Sequence, residues 1–282
     1  MPAPSSALGP AQTAELLAFA DTLADAARGV ILPHFRSDAL QSRNKKVGVF
    51  DPVTEADKGA EAAMRALIAQ TYPEHGVIGE EEGETKSRSG FTWYLDPIDG
   101  TRAFLAGLPV WGTLIGLAHE GRPLIGVIDQ GFTGERFRGW PGGADFVQGP
   151  VRRPLKARAC AALTDAIIST TDPNLFTGAQ AGGFEQLRQT AKITRFGCDC
   201  YAYAMVAMGG IDLVAENRLA PWDIAAIIPV IEGAGGLITN WRGDPIWQGE
   251  WFSSPQGRSD ALAAGDARVH GEALTPLKRA AH

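Results

Sequence analysis

The sequence predicts an α/β protein, and three observations predict it. Helix-period apolar stripes alternate with short apolar runs along the chain. Several of those runs end in acidic residues, as buried strands do when they deliver side chains to a site. The chain has 282 residues, 45% of them hydrophobic and 21% charged, enough to bury the core of one large domain or two tightly joined lobes.

In chain order, Leu16, Leu17, Phe19, Ala20, Leu23 and Ala27 form the stripe of a helix from about Ala11 to Phe35. Arg36 to Val49 is polar and basic and reads as an exposed loop or hairpin. A second helix runs from roughly Thr54 to Tyr72, with Thr54 or Asp51 near its start and Pro73 at its end. Val77-Ile78-Gly79 and Trp93-Tyr94-Leu95 read as strands. Thr113 to Leu117 and Leu124 to Ile128 read as a pair joined by a turn at His119–Arg122. Gly139 to Pro154 is dense in Gly and Pro and marks a lobe boundary, dividing the chain into an α+β lobe of residues 1–150 and an α/β lobe of residues 151–282. Beyond it come a strand at Ala166–Ser169, a helix at Cys200–Met208, a strand at Ile211–Ala215, a helix at Ile224–Gly233 kinked by Pro229, and a strand at Leu237–Asn240. The sequence shows no internal repeat.

The net charge of −6 argues against a nucleic-acid surface. Three cysteines, Cys160, Cys198 and Cys200, form no disulfide framework and point to a reducing compartment. No basic start followed by an apolar run opens the sequence, and no stretch is long enough to span a bilayer, so the cytoplasm is the expected location. The five histidines show no metal-ligand spacing.

The chemistry lies in the carboxylates. Three separated segments carry them: Glu80-Glu81-Glu82 after Ile78-Gly79, Asp96-Pro97-Ile98-Asp99-Gly100-Thr101, and Asp223 after Pro221-Trp222. Glu80, Asp96, Asp99 and Asp223 offer the oxygen ligands that Mg²⁺ prefers. Four carboxylates about 6 Å apart would repel by roughly 3 kcal/mol per pair at an effective dielectric near 20, so their convergence requires cations or raised pKa values. Taken singly, Asp99 and Asp223 are also fit to cap the helices that follow them, and Glu81, Glu82 and Glu84 to be solvated loop charges. The spacing of Asp96 and Asp99, three apart, disfavours a covalent phosphoaspartate, whose second Asp stands two residues on, and favours attack by water.

At these residues the sequence resembles the inositol monophosphatase superfamily. The matching segments are Asp51-Pro-Val-Thr-Glu-Ala-Asp57, Gly79-Glu80-Glu81, Asp96 to Thr101, Trp222-Asp223-Ile-Ala-Ala, and Glu232-Gly-Ala-Gly-Gly236. They occur in the family's order across most of the chain. The resemblance implies a layered α-β-α-β-α sandwich, as in inositol monophosphatase and fructose-1,6-bisphosphatase, usually dimeric, and a Mg²⁺-dependent phosphoric monoester hydrolase holding two or three ions. It implies metal ligands at Glu80, Asp96, Asp99, Asp223 and the carbonyl of Ile98, with Asp57 near a further, weaker ion. Glu80 and Thr101 would orient and deprotonate the attacking water, and the amides of Gly100 and Thr101 would bind phosphate at a helix start.

Within the superfamily, Thr101-Arg102-Ala103-Phe104, Gly107 to Thr113, and Gly197-Cys-Asp-Cys-Tyr-Ala-Tyr203 are similar to histidinol-phosphatase members. The substrate that this implies is L-histidinol phosphate. Glu216 falls where the family places a substrate contact, and it could pair with the substrate's ammonium, with help from Asp199. Arg102, Asn217 and Arg218 are further candidates around the substrate. The plainer readings are a strand-end charge for Glu216, a helix cap for Asp199 and a solvated helix residue for Arg102. The basic run Arg43 to Lys46 is either a lid over the phosphate or a solvated loop. Competing functions are an inositol or broad sugar-phosphate phosphatase and a regulatory binding protein on a retained phosphatase fold. A small phosphate ester is the expected partner, in a homodimer, with neither nucleic acid nor membrane.

Overall fold

A computed structural model describes residues 8–37, 42–46 and 49–280. Helix α1 (Pro10–Ile31) buries Leu16, Leu17, Ala20, Leu23, Ala24, Ala27 and Ile31 on one stripe. It starts at Pro10, where the missing N–H leaves no bond unmade. The basic stretch forms an antiparallel hairpin of β1 (Ser42–Lys46) and β2 (Val49–Thr54), leading into α2 (Glu55–Thr71). The capping reading of Asp51 and Thr54, the lid reading of Arg43 to Lys46 and the first seven residues lie outside what is described.

Next come β3 (Gly76–Gly79), β4 (Gly83–Thr85), β5 (Phe91–Asp99), the short α3 (Thr101–Leu105), β6 (Gly112–His119), β7 (Arg122–Gln130), β8 (Glu135–Trp140), β9 (Gly143–Gln148) and β10 (Val151–Pro154). Their strands form one sheet in the order β10-β9-β8-β7-β6-β5-β3-β4, antiparallel except between β3 and β5. The second half supplies β11 (Ile167–Thr170), α4 (Ala179–Thr190), β12 (Ile193–Phe196), α5 (Asp199–Met208), β13 (Leu213–Leu219), α6 (Pro221–Ala225), α7 (Ile227–Gly233), β14 (Leu237–Thr239), β15 (Ser259–Ala264) and α8 (Ala267–Lys278). Here the sheet order is β12-β11-β13-β15-β14.

Three cores stack these elements into the expected α-β-α-β-α sandwich. One lies between α1, α2 and the first sheet, through Leu23, Met64, Trp93 and Leu95. The middle core gathers Tyr94, Leu114 and Ile128 of the first sheet, Val214 and Ala263 of the second, and the apolar faces of α5, α6 and α7. The third sets Leu213, Ala215 and Leu262 against Phe184 and Leu187 of α4 and Val269 and Ala273 of α8. Strand alternation makes this possible: Trp93 and Leu95 face one core while Tyr94 between them faces the other.

The Gly/Pro-rich stretch Gly139 to Pro154 is the expected lobe boundary. It is strand, including all of β9 and β10, and the change from one sheet to the other falls between Pro154 and Ile167. One of its glycines has a packing role. Gly116, Gly126 and Gly139 pair across β6, β7 and β8 to make a row without side chains. The backbone of α6 and α7 lies in that row. A Cβ on Gly116 would stand 2.7 Å from Ala225 C, and one on Gly126 or Gly139 would run into Ala226 or Pro229. The kink expected at Pro229 is realised as a break at Ala226, because the proline ring excludes the carbonyl of the residue four before it, Ala225. The row thereby seats α6, which carries Asp223.

Charges on the first sheet are paired with α1. Arg136 reaches Asp129 (2.7 Å) and Asp25 (2.6 Å), and Arg138 reaches Asp21 (2.6 Å) and Asp145 (2.7 Å). Both arginines are buried, so removing one partner would strand a charge.

His270 on α8 is 4% exposed and shares a 2.9 Å hydrogen bond with Thr239 Oγ1. Burial, reinforced by Lys278, pushes its pKa down to about 4 from 6.5. The unfolded chain therefore takes up a proton that the folded one refuses, and stability falls as pH drops from about 6.5 to about 4. The loss expected is up to about 3 kcal/mol in urea unfolding of the Mg²⁺-saturated protein, and His270→Gln should flatten that part of the profile.

Candidate metal centre

The site is assembled at one end of both sheets. Glu80 follows β3, and its N–H donates to Leu95 O (3.2 Å). The turn after it is held by Glu61, a fully buried carboxylate on α2 that accepts from the amides of Glu81 (2.8 Å) and Glu82 (3.0 Å) and from Arg65 Nε (2.8 Å). Gly79 has to be glycine, because a Cβ there would collide with that carboxylate. Asp57, one turn before Glu61 on the same stripe of α2, is buried and close enough to Asp96 to raise its proton affinity.

Strand β5 delivers two carboxylates to one side by means of a bulge. Asp96 pairs with Leu114 and Asp99 with Gly112, so Pro97 and Ile98 together face the single residue Thr113. Residues three apart on a regular strand point to opposite faces, and the extra residue reverses this. Thr113 Oγ1 donates to Pro97 O at 2.8 Å and pins the bulge. Gly100 then turns the chain at φ 84 into α3, where Thr101 Oγ1 donates to the carbonyl of Ile98 (3.2 Å).

The remaining groups arrive from the second half. Asp223, in the first turn of α6, accepts from Ala220 N at 2.8 Å, so it does cap its own helix. Asp99 does not cap α3; its Oδ2 accepts from Cys200 N (2.6 Å), in the first turn of α5. Asp199 opens that helix with a left-handed φ of 45 and stands where a Cβ on Gly100 would meet its carboxylate. Glu216 on β13 is buried and accepts from Thr171 N (2.6 Å) and Thr170 Oγ1 (3.2 Å) at the end of β11. Arg102 is exposed and pairs with Asp172 at 3.4 Å.

Asp96, Asp99 and Asp223 each offer one oxygen, and these three atoms lie within 4.8 Å of one another. Like charges that close repel by roughly 3.5 kcal/mol per pair at an effective dielectric near 20. Burial raises the pKa of all three, and Glu80, Asp99, Asp223 and Asp57 raise Asp96 further. Asp96 Oδ1 is buried and meets no hydrogen-bond donor among the described residues. A hard divalent cation answers both features, supplying charge and a partner for the orphaned oxygen, so the residues fit Mg²⁺.

A family model described as the inositol monophosphatase family matches residues 12–279. The chain belongs to the inositol monophosphatase family. It is a phosphoric monoester hydrolase, and the family is metal-dependent, generally on Mg²⁺. Within the inositol monophosphatase family the chain is 41% identical over 269 residues to the bifunctional phosphatase IMPL2, chloroplastic, of Arabidopsis thaliana, covering 93% of this chain and 74% of that protein. It is 36% identical over 222 residues to a histidinol-phosphatase of Chlorobaculum parvum, covering 78% and 84% respectively. A solved structure of an inositol monophosphatase from Zymomonas mobilis matches with a TM-score of 0.80 at 36% identity, over 94% of this chain and 98% of that one.

Sequence reasoning left out three groups. Glu61 sets the turn that carries Glu80, and its signal was a carboxylate on the apolar stripe of α2 with Asp57, Met64 and Ile68. Thr113 pins the bulge and carried no signal beyond its place in an apolar strand. Tyr203 on α5 is 3% exposed, its hydroxyl has no hydrogen-bond partner among the described residues, and burial, with Glu216, Asp99 and Asp223, holds its pKa high, so it borders the site.

Proposed function

We propose that the chain hydrolyses L-histidinol phosphate to L-histidinol and inorganic phosphate, with water as the nucleophile. The observation that carries this reading is the acidic pair Asp199 and Glu216 beside Asp99. Burial and repulsion from Asp99 and Glu216 push Asp199 up to about 8, and burial, against the hydrogen bonds from Thr171 and Thr170, pushes Glu216 up to about 7. Two carboxyls that retain protons near neutrality form a site short of positive charge. An ammonium entering it would let them ionise and gain charge-assisted hydrogen bonds. The histidinol-phosphatase of Chlorobaculum parvum among the relatives agrees with this choice.

In this proposal Glu80, Asp96, Asp99, Asp223 and the Ile98 carbonyl hold two or three Mg²⁺ ions, with Asp57 near the weakest. Bound Mg²⁺ would supply charge for the phosphoryl oxygens and a lower pKa for the attacking water. Glu80 takes the water's proton, the Thr101 hydroxyl oxygen accepts a hydrogen bond from that water and orients it, and the Gly100 and Thr101 amides face the phosphate. Glu216 and Asp199 bind the ammonium, and Arg102, paired with Asp172, lies at the rim. Neither Asp96 nor Asp99 acts as a nucleophile. A second reading, an inositol or sugar-phosphate phosphatase, is favoured by the Zymomonas mobilis likeness, with Glu216 accepting hydroxyl groups.

The same proposal includes a homodimer in a reducing compartment, the cytoplasm by expectation. The edge strand β12 leaves Ile193 and Phe196 exposed, and the three cysteines are free thiols. No helix of the described residues is long and apolar enough to cross a membrane. The deciding experiment compares kcat/KM for L-histidinol phosphate and myo-inositol 1-phosphate with Mg²⁺. A preference of at least about tenfold for the former is expected. A preference for the inositol ester would select the second reading.

A further inference from the structure

We propose that Arg218, Arg242 and Arg258, arranged around Asn217, form a second binding site for a small multiply charged anion that also carries a hydroxyl group. They line a polar cavity of about 360 Å³ together with Gln180 and Asp260. Glu216 and Asn217 are consecutive on β13 and turn opposite ways. Glu216 bonds to Thr170 and Thr171, whereas Asn217 Nδ2 donates to Leu175 O (3.1 Å) and Gln180 Oε1 (2.9 Å) on the α4 side. The cavity is thus distinct from the carboxylate cluster.

Two observations point to an anion. First, among the described residues none of the three guanidinium groups donates a hydrogen bond to a carboxylate, and those of Arg218 and Arg242 donate none; Arg258 donates only to the carbonyls of Pro255 (3.1 Å) and Gly257 (2.7 Å). The one carboxylate in the lining, Asp260, accepts from Trp241 N (2.7 Å) and is drawn electrostatically to Arg242, so three cations face a single anion and positive charge remains in excess. Guanidinium forks match carboxylate and phosphate oxygens. Second, Asn217 is 4% exposed and its Oδ1 is buried without a donor. Its amide nitrogen is already committed to Leu175 and Gln180, so the orphan is an acceptor, and a ligand hydroxyl can satisfy it.

The position couples the cavity to catalysis. Arg218 has a left-handed φ of 60 and sits in the irregular stretch of β13 between Glu216 and Leu219. Arg258 lies over the Trp222 ring at 5.5 Å and is close enough to Asp223 to lower its proton affinity. An anion drawing these arginines together bears on the segment that carries both Glu216 and Asp223. The anion is either a phosphate species, the product included, or a hydroxycarboxylate.

Calorimetric titration of the Mg²⁺-loaded protein with inorganic phosphate tests this, and L-tartrate provides the carboxylate arm. Wild type should bind two phosphates, Asp96→Asn one, Arg218→Ala/Arg242→Ala one, and the three changes together none. The anion for which the site is built, phosphate or tartrate, is the one whose binding outside the Asp96-dependent site weakens about ten- to hundredfold in the double arginine variant. Arg218 and Arg242 are exposed, so their replacement leaves the core intact, and the thermal midpoint and circular dichroism of the double variant should match those of wild type. The proposal is overturned if wild type binds a single phosphate that Asp96→Asn abolishes and tartrate does not bind, or if the double variant binds both anions as wild type does. Failure of the hydrolase reading would appear separately, as two phosphates bound with no turnover.

Discussion

Asp96→Asn is expected to lower kcat/KM for every phosphomonoester by at least about three orders of magnitude, and excess EDTA should do the same to the wild type. Asp96 is the most enclosed member of the triad, at 2% exposed, with an orphaned oxygen aimed among Asp99, Asp223 and Glu80. An amide there removes one of the oxygens that a hard cation needs and turns a donor NH₂ into the cluster. The same substitution should raise the thermal midpoint of the metal-free protein by several degrees, because it removes a buried charge that only a cation compensates. The clustered carboxyls have folded pKa values above their unfolded ones. In metal-free wild type the cluster's contribution is therefore most favourable in acid and is lost as pH rises through the carboxyls' elevated range, a loss that Mg²⁺ reverses. Undiminished turnover in EDTA, or a phosphoaspartate trapped on Asp96 or Asp99, would sink the mechanism.

Glu216→Gln is expected to reduce kcat/KM for L-histidinol phosphate by about 10- to 150-fold, the worth of a charge-assisted hydrogen bond of roughly 1.5–3 kcal/mol. The amide can keep the acceptor role toward Thr171 N and remain beside Thr170 Oγ1, so β11 and β13 stay joined. p-Nitrophenyl phosphate has no ammonium and should change by less than about threefold. Wild-type discrimination between the two substrates should grow as pH rises through the range near 7 to 8 where Glu216 and Asp199 ionise. Equal loss for both substrates would show that Glu216 serves the junction with β11 rather than the leaving group.

The parts that sequence exposed are those where local chemistry and tertiary role agree. Trp93-Tyr94-Leu95 is apolar on both faces because two cores sandwich β5, and the Asp-Pro-Ile-Asp run read as a ligand source does bring Asp96 and Asp99 together, through a bulge. Where they conflict, the pattern was silent or misled. β8, for which the sequence carries no expectation, places Arg136 and Arg138 on its buried face, since the acids of α1 neutralise them. Helix α4 went unnoticed because Gly182 and Gly183 look like breakers. Gly183 instead lets α8 approach, its absent Cβ leaving room for Ala280 and the Pro276 carbonyl at 3.1 Å. Helix α8 hid behind Pro276 near its own end. In the site, Asp99 read as a cap for the neighbouring α3, but its partner is Cys200, 101 residues away, and no local pattern encodes a contact of that range.

That distance bears on how the molecule comes together. Closing a loop of 101 residues costs entropy before any contact across it is gained, so the Asp99–Cys200 bond is expected among the later contacts of folding. Before then the carboxylates of β5 and α6 sit on separate pieces and repel only weakly through water. Docking brings them together with nothing between them, and the final step climbs against its own charge. A cation can enter only at that moment, so its binding energy slows the reverse step far more than it speeds the forward one. The ion acts as a latch on the finished fold, and a chain that has misdocked its halves has no place to carry out hydrolysis.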